Sequence, residues 1–139
     1  MKLLLDTHIF LWYINTDPRL PGLVKDAVQD RNNDVFLSAA SVWEAAIKNA
    51  LGKLPLPGPP AEYLPRQRRA HQIESLPITE EAISHLVGLP ALHRDPFDRI
   101  LIAQALQHGM TLASVDEVVR KYPVPLLPPI STNVPEPKE

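Results

Sequence analysis

Five carboxylates in this chain fall at or beside points where an apolar strand-like run gives way to a helical pattern. Asp6 follows Lys2 to Leu5, and Glu44 sits near the start of the segment after Val35 to Leu37. Asp95 and Asp98 open the run Arg94-Asp95-Pro96-Phe97-Asp98-Arg99-Ile100-Leu101-Ile102-Ala103-Gln104-Ala105, and Asp116 follows Ser114 by two residues. Taken one at a time, each acid reads as a helix cap, because carboxylates favour helix N-termini. Ser41-Val42-Trp43-Glu44 fits a capping box, and Asp95-Pro96-Phe97-Asp98 fits an N-cap acid, a proline at the first helical position and a second acid at the third. Taken together they imply chemistry. Four carboxylates about 5 Å apart repel by about 3 kcal/mol per pair at an effective dielectric near 20. Summed over the pairs this is on the order of 20 kcal/mol, more than an ordinary domain's stability. Such a group must bind protons, spread apart or hold cations. All-oxygen ligation suits Mg²⁺ or Mn²⁺, and a carboxylate-held metal that keeps waters is suited to activating water against a phosphodiester.

The elements needed to bring these acids together are legible in outline. Lys2 to Leu5, Val35 to Leu37, Ile73 to Leu76, Thr111 to Ala113 and Val124 to Leu127 read as short buried strands. Helices are expected over Thr7 to Tyr13, Pro21 to Asp30, Ser41 to Leu51 (closed by Gly52), Ala61 to Ala70, Thr79 to Val87 (capped by Thr79), Pro96 to His108 (closed by Gly109) and Asp116 to Lys121. The 96–108 helix is apolar nearly all round, so it belongs in a core. Strands alternating with helices imply a parallel sheet covered on both faces, and ligands bind such sheets outside the carboxyl ends of the strands. That is the edge where all five acids fall.

Composition narrows the alternatives. With 139 residues and 45% apolar content the chain reads as one globular domain. It has no cysteine, which excludes a disulfide framework, a thiolate zinc site and a cysteine nucleophile. The five histidines show no metal-ligand spacing, and there is neither a serine nucleophile elbow nor a phosphate-binding glycine loop. His93 is read as an exposed loop residue. No apolar run approaches the roughly 20 residues of a membrane span, and a cytoplasmic location is expected. A net charge of −2 gives no general attraction to polyanions, so any nucleic acid would need a local basic rim or bound cations. Arg66, Arg68 and Arg69 form one small basic cluster, read as a solvated helix face. Sixteen prolines concentrate at 55–65 and after 122, as loop stiffeners.

The blocks Leu3-Leu4-Leu5-Asp6-Thr7-His8, Ser38-Ala39-Ala40-Ser41-Val42-Trp43-Glu44, Asp95-Pro96-Phe97-Asp98-Arg99 with Ile102-Ala103-Gln104-Ala105, and Ser114-Val115-Asp116, in this order and spacing, resemble the PIN-domain proteins. Within them the chain is most similar to the VapC-type toxins of toxin–antitoxin systems. The resemblance covers about residues 1–127 and leaves 128–139 as a Pro-rich tail expected to be disordered. It implies a three-layer α/β/α fold with a central parallel sheet of four to five strands, and a metal-dependent endoribonuclease whose Asp6, Glu44, Asp98 and Asp116 hold Mg²⁺ or Mn²⁺. Asp98 matches the family acid because it directly precedes the buried Ile-Ala-x-Ala run, which leaves Asp95 as a supporting acid or cap. Thr7 and Ser38 match hydroxyl positions beside the acids, Ser114 stands where the family often has threonine, and Arg99 lies within the third block as a supporting residue. The resemblance further implies an RNA substrate, cleavage to 5′-phosphate and 3′-hydroxyl ends, a homodimer, and inhibition by a small antitoxin whose tail crosses the active groove. Trp12 and Trp43 are candidates for part of that groove, with core packing the competing assignment.

Two other classes compete. A PIN-fold module that binds metal or RNA without turnover would bind cations and leave RNA intact. A phospho-acceptor receiver domain would need paired acids after the first strand and a late lysine; Asp6 stands alone, and Lys121 follows no suitable strand.

Overall fold

Leucines alternate in direction along the first strand, and that alternation divides the core in two. In the computed structural model, which describes residues 1–130, β1 (Lys2–Leu5) is the centre of a five-stranded all-parallel sheet with β2 (Asp34–Ser38), β3 (Glu74–Leu76), β4 (Thr111–Ala113) and β5 (Leu126–Leu127) in the order β3-β2-β1-β4-β5. Successive side chains of a strand point to opposite faces. Leu3 and Leu5 therefore pack with Val35, Leu37 and Ala113 on one face, against Ile9, Phe10, Val24, Val28 and Leu64. These last come from α1 (Thr7–Ile14), α2 (Gly22–Gln29) and α4 (Pro60–Ala70). Leu4 and Leu112 point the other way, into a core built by α5 (Glu80–Val87) and α6 (Pro96–His108). α3 (Ala39–Ala50) runs off the end of β2 and gives Ala40 to one core and Ala45 to the other. The architecture is the three-layer α/β/α arrangement with a parallel sheet that the strand–helix alternation predicts.

α6 fits its sequence pattern. Ile100 to Ala105 are all buried, including Gln104, and each of the large apolar side chains contributes roughly 1.5–3 kcal/mol. The helix ends where Gly109 takes a left-handed conformation (φ +64°) and the Met110 amide returns to the Ala105 carbonyl at 2.9 Å. A residue with a Cβ is strained in that conformation.

Two local expectations are corrected. α3 begins at Ala39, two residues before the expected Ser41, with Ser38 as its cap: the Ser38 hydroxyl accepts the Ala40 amide at 3.0 Å. The capping box is thus absent, and Glu44 lies in the second turn, facing inward. Polar serine, read as a start signal, is here buried inside the helix at position 41. The expected helix over Asp116 to Lys121 is only a 3₁₀ turn at Val119–Lys121, because Asp116 Oδ1 takes the amides of Val118 and Val119 (2.9 and 3.0 Å) and closes a local turn. The last strand is shorter than expected, and the Pro-rich tail from 131 onward lies outside the described residues. Among the described residues no helix is long and apolar enough to cross a membrane.

Candidate active site

The sheet order reverses at β1, whose neighbours are β2 on one side and β4 on the other. The crevice at such a reversal, at the carboxyl ends of the strands, is where open α/β sheets place ligands. Asp6 leaves β1 there and donates its amide to the Ala113 carbonyl of β4 at 3.0 Å. It also caps α1, its Oδ1 accepting the Ile9 amide at 2.8 Å. Asp6 is buried, and burial pushes its carboxyl above the ordinary aspartate range. The Ser114 hydroxyl, the Ile9 amide and His8 pull the other way, while Asp116 adds to the rise.

Glu44 comes to the same edge from α3 and has both oxygens engaged. Thr7 donates its hydroxyl to Oε1 at 2.6 Å, and Lys48, one turn on, places Nζ 2.6 Å from Oε2. Thr7 Oγ1 also lies 2.9 Å from Ser41 Oγ. A hydroxyl has one proton, so with Thr7 donating to the carboxylate, Ser41 supplies the proton of this second bond. Burial alone would push the Lys48 ammonium down. The Glu44 carboxylate outweighs that, with Asp95 and Asp98 behind it, and holds Lys48 above the usual lysine range.

Asp95 and Asp98 divide their roles. Asp95 Oδ1 accepts the amides of Phe97 (2.8 Å) and Asp98 (3.4 Å) as N-cap of α6, with Pro96 at the first helical position. Asp98 is left to face the crevice. Its carboxyl is pushed up to about 7, by burial first and then by the charges of Asp95, Asp6, Glu44 and Asp116. Asp98 therefore feels all four of the other acids, which come from separate segments of the chain. Asp116 is more open, its side chain 41% exposed, and Ser114 holds the loop by accepting the Asp116 amide at 3.1 Å. Ser38 acts as the α3 cap described above.

His93 departs from its expected exposed position. Its side chain is only 17% exposed, and Nε2 lies 2.9 Å from Asp98 Oδ2 and 3.7 Å from Asp116 Oδ1. His93, Asp98 and Asp116 each offer a donor atom, all within 4.8 Å of one another, and are the one such set of three among the described residues. One carboxylate pair with one imidazole is a donor set able to hold a divalent cation. Asp6 and Glu44 stand close enough to be felt by Asp98 but outside that set. The one hint of His93 in the sequence was its place two residues before Asp95.

Arg99 turns away from the acids. Its Nη1 donates to the Pro90 carbonyl (2.9 Å) and the Tyr122 hydroxyl (3.1 Å), and its Nη2 to the Leu86 carbonyl (3.4 Å), so it staples the 88–95 loop. Trp43 is 58% exposed and stacks edge-on against Phe97 at 4.9 Å, which rules out core packing for it. Its apolar groove of about 210 Å³ is shared with Ile78, Ile83, Leu86, Phe97 and Ile100. Trp12 is half-buried under the Arg19 guanidinium at 5.1 Å. In the basic cluster, Arg68 is spent on the Ile73 carbonyl (2.9 Å), while Arg66 and Arg69 are exposed as expected.

A sequence profile of the PIN domain matches residues 3–125. The chain belongs to the PIN-domain family. Ribonuclease VapC16 of Mycobacterium tuberculosis is 42% identical to it over 74 residues, an alignment covering 48% of this chain and 52% of that protein. Ribonuclease VapC22 of the same organism is 28% identical over 120 residues, covering 86% and 90%. The chain thus spans about half the length of the first relative and nine-tenths of the second. Among solved structures, VapBC2 of Rickettsia felis bound to a promoter DNA fragment matches this PIN domain with a TM-score of 0.67 at 15% identity, over 91% of this chain and 97% of that one. VapBC-1 of nontypeable Haemophilus influenzae gives 0.61 at 16% identity, over 91% and 96%. At such identities the likeness is one of fold.

Proposed function

We propose that this PIN domain is a Mg²⁺- or Mn²⁺-dependent endoribonuclease acting as the toxin of a toxin–antitoxin pair. The observation that carries the proposal is the setting of Asp98, half-sunk at the carboxyl edge of the sheet among four other carboxylates. Burial and like charge there leave it short of positive charge in a way that one lysine does not cure. The two relatives named as ribonucleases support the substrate class.

Asp98 and Asp116 are the residues we assign to hold the cation directly, with Asp6 and Glu44 completing the quartet. When bound, such a cation supplies an acidified water and neutralises charge building on the phosphate. The chain's own part is positional. The α6 core fixes where Asp98 stands, Thr7 and Lys48 fix Glu44, and the Ser114 and Asp116 turn fixes the fourth acid. Thr7, Ser38, Ser114 and Asp95 support the acids, and Arg99 supports the loop beside them. A small antitoxin partner, suggested by the VapBC complexes among the structural relatives, and a homodimer are part of the same proposal; the exposed apolar strip around Trp43 supports a protein partner. A cytoplasmic site of action is expected with it.

The test is to incubate the purified chain, free of any antitoxin, with total RNA and Mn²⁺. Cleavage that EDTA abolishes, leaving 5′-phosphate ends, is expected. Asp98→Asn should lower the rate at least a hundredfold with its circular dichroism unchanged. RNA left intact across a Mn²⁺ titration would sink the nuclease. One observation favours a second reading, a metal-binding module without turnover: both Glu44 oxygens are already engaged by Thr7 and Lys48. Mn²⁺ binding without cleavage would select it.

A further inference from the structure

We propose that His93 is a positioning residue for the cation site, a brace that sets the separation of Asp98 and Asp116 through its Nε2–H and does not itself bind the metal. This rests on the metal-site assignment made above. Three observations lead to it. First, the ring is inserted between two acids on different elements: Asp98 is on α6 and Asp116 on the turn after β4. Nε2 is buried and within reach of both, 2.9 Å from one and 3.7 Å from the other, yet aligned for a hydrogen bond with neither. Second, Nδ1 faces the Asp95 amide at 3.4 Å. That N–H makes Nδ1 the acceptor, so the neutral ring carries its proton on Nε2, a tautomer assigned from hydrogen bonding. In that tautomer Nε2 presents the positive end of an N–H dipole, and no lone pair, to the two carboxylates. Third, the loop that carries the ring is fixed from outside the site. The buried Tyr122 hydroxyl receives the backbone amides of Leu92 (3.1 Å) and His93 (2.8 Å), and Arg99 Nη1 reaches the same oxygen.

Asp98 and Asp116 repel, and nothing else among the described residues bridges them. A donor between them offsets the repulsion and keeps both carboxylates turned toward one point. Residues that orient metal ligands in this way typically alter metal affinity 10–100-fold when removed.

Calorimetric titration of the full-length chain with Mn²⁺ tests the proposal. His93→Ala should weaken Mn²⁺ binding about tenfold or more. His93→Gln, whose amide N–H can occupy the place of Nε2–H, should recover most of that loss. Tyr122→Phe, which removes the anchor of the loop and touches no acid, should weaken binding by a smaller factor. Equal affinity in His93→Ala and wild type overturns the brace, as does His93→Gln binding no better than the alanine variant. Side-chain ¹⁵N spectra of the wild type with diamagnetic Mg²⁺ decide the matter even if His93→Ala does not fold. Nε2 should stay protonated when the site fills, and loss of that proton would make His93 a ligand and overturn the proposal. A wild-type chain that binds no Mn²⁺ at all would remove the metal site and the brace together, an outcome distinct from a site that ignores His93.

Discussion

The acid cluster has two halves built to opposite rules. In the half made by β1 and α3, Thr7, Ser41 and Glu44 are buried and interlocked, the buried Asp6 is held by the Ile9 amide, and Lys48 supplies Glu44 with a counter-charge from within the chain. In the half made by α6 and the β4 loop, Asp98 and Asp116 have no lysine or arginine partner among the described residues, where the imidazole of His93 is what lies in reach. Buried polar groups are normally satisfied by partners, so the first half is complete as folded. The second is not. The difference teaches where a ligand is needed: the closed half acts as a rigid wall, and the open half is where added positive charge lowers the energy most.

The largest effect should come from neutralising Asp98. Its carboxyl is raised from 3.8 to about 7 in the folded chain. Between those values the native state holds a proton that the unfolded chain has released, so stability falls as pH rises from about 4 to about 7 and then levels. The loss is a few kcal/mol at most. Without divalent cations the melting temperature should therefore decline across that window, and Mn²⁺ at pH 7.5 should restore it by binding the native state. Asp98→Asn should flatten the decline, melt higher than wild type at pH 7.5 without metal, and gain little from Mn²⁺, while losing RNA cleavage. A wild-type melting temperature that rises steadily from pH 4 to 7 would contradict the assignment.

A smaller effect is expected on the closed half. Lys48→Met leaves the Glu44 carboxylate buried with only Thr7 to hold it, and removing one partner of a buried ion pair destabilises. Lys48 is partly exposed, so the drop in melting temperature without metal should be modest, a few degrees. The sharper reading is the difference between conditions: Lys48→Met should gain more stability from Mn²⁺ than wild type does, because a divalent cation then replaces the missing ammonium. An equal gain in both would mean that Lys48 and the cation do not share Glu44, and that the two halves are electrically independent.

Each half of the site departs from its sequence pattern where a long-range contact or a local turn replaces a helix signal. Strand alternation and the αL glycine after α6 follow local rules, so β1, α6 and β4 lie where the residues predict. Ser41-x-x-Glu44 obeys the capping-box spacing and still is not one, since Ser38 three residues earlier starts the helix. Capping is a local signal worth about 1 kcal/mol, and the tertiary pairing of Glu44 with Thr7, 37 positions away, outweighs it. Asp116 likewise uses a turn rather than a helix. His93 escaped because nothing in its neighbours' identities fixes a loop; the Tyr122 hydroxyl that holds it lies 29 positions downstream. Long-range contacts of that kind leave no periodicity to find. The meeting of acids from four segments at one sheet edge was legible because a parallel sheet puts all its carboxyl ends together.

The smallest effect separates the two acids that share one helix end. Asp95 is spent on backbone amides as the cap of α6, while its charge still raises Asp98. These contributions come apart under two substitutions. Asp95→Ala loses the cap and should cost about 1 kcal/mol, read as a lower melting temperature at every pH. Asp95→Asn keeps an oxygen to accept the Phe97 and Asp98 amides and removes only the charge. Its stability should match or slightly exceed wild type at pH 7.5, with the Asp98-dependent decline shifted to lower pH. Cleavage should stay within a few-fold of wild type in Asp95→Asn, against the hundredfold loss in Asp98→Asn. If Asp95→Asn instead lost Mn²⁺ binding to the same degree, Asp95 would be a ligand and the open half would hold three acids. The division between a capping acid and a working acid at the mouth of α6 would then have to be abandoned.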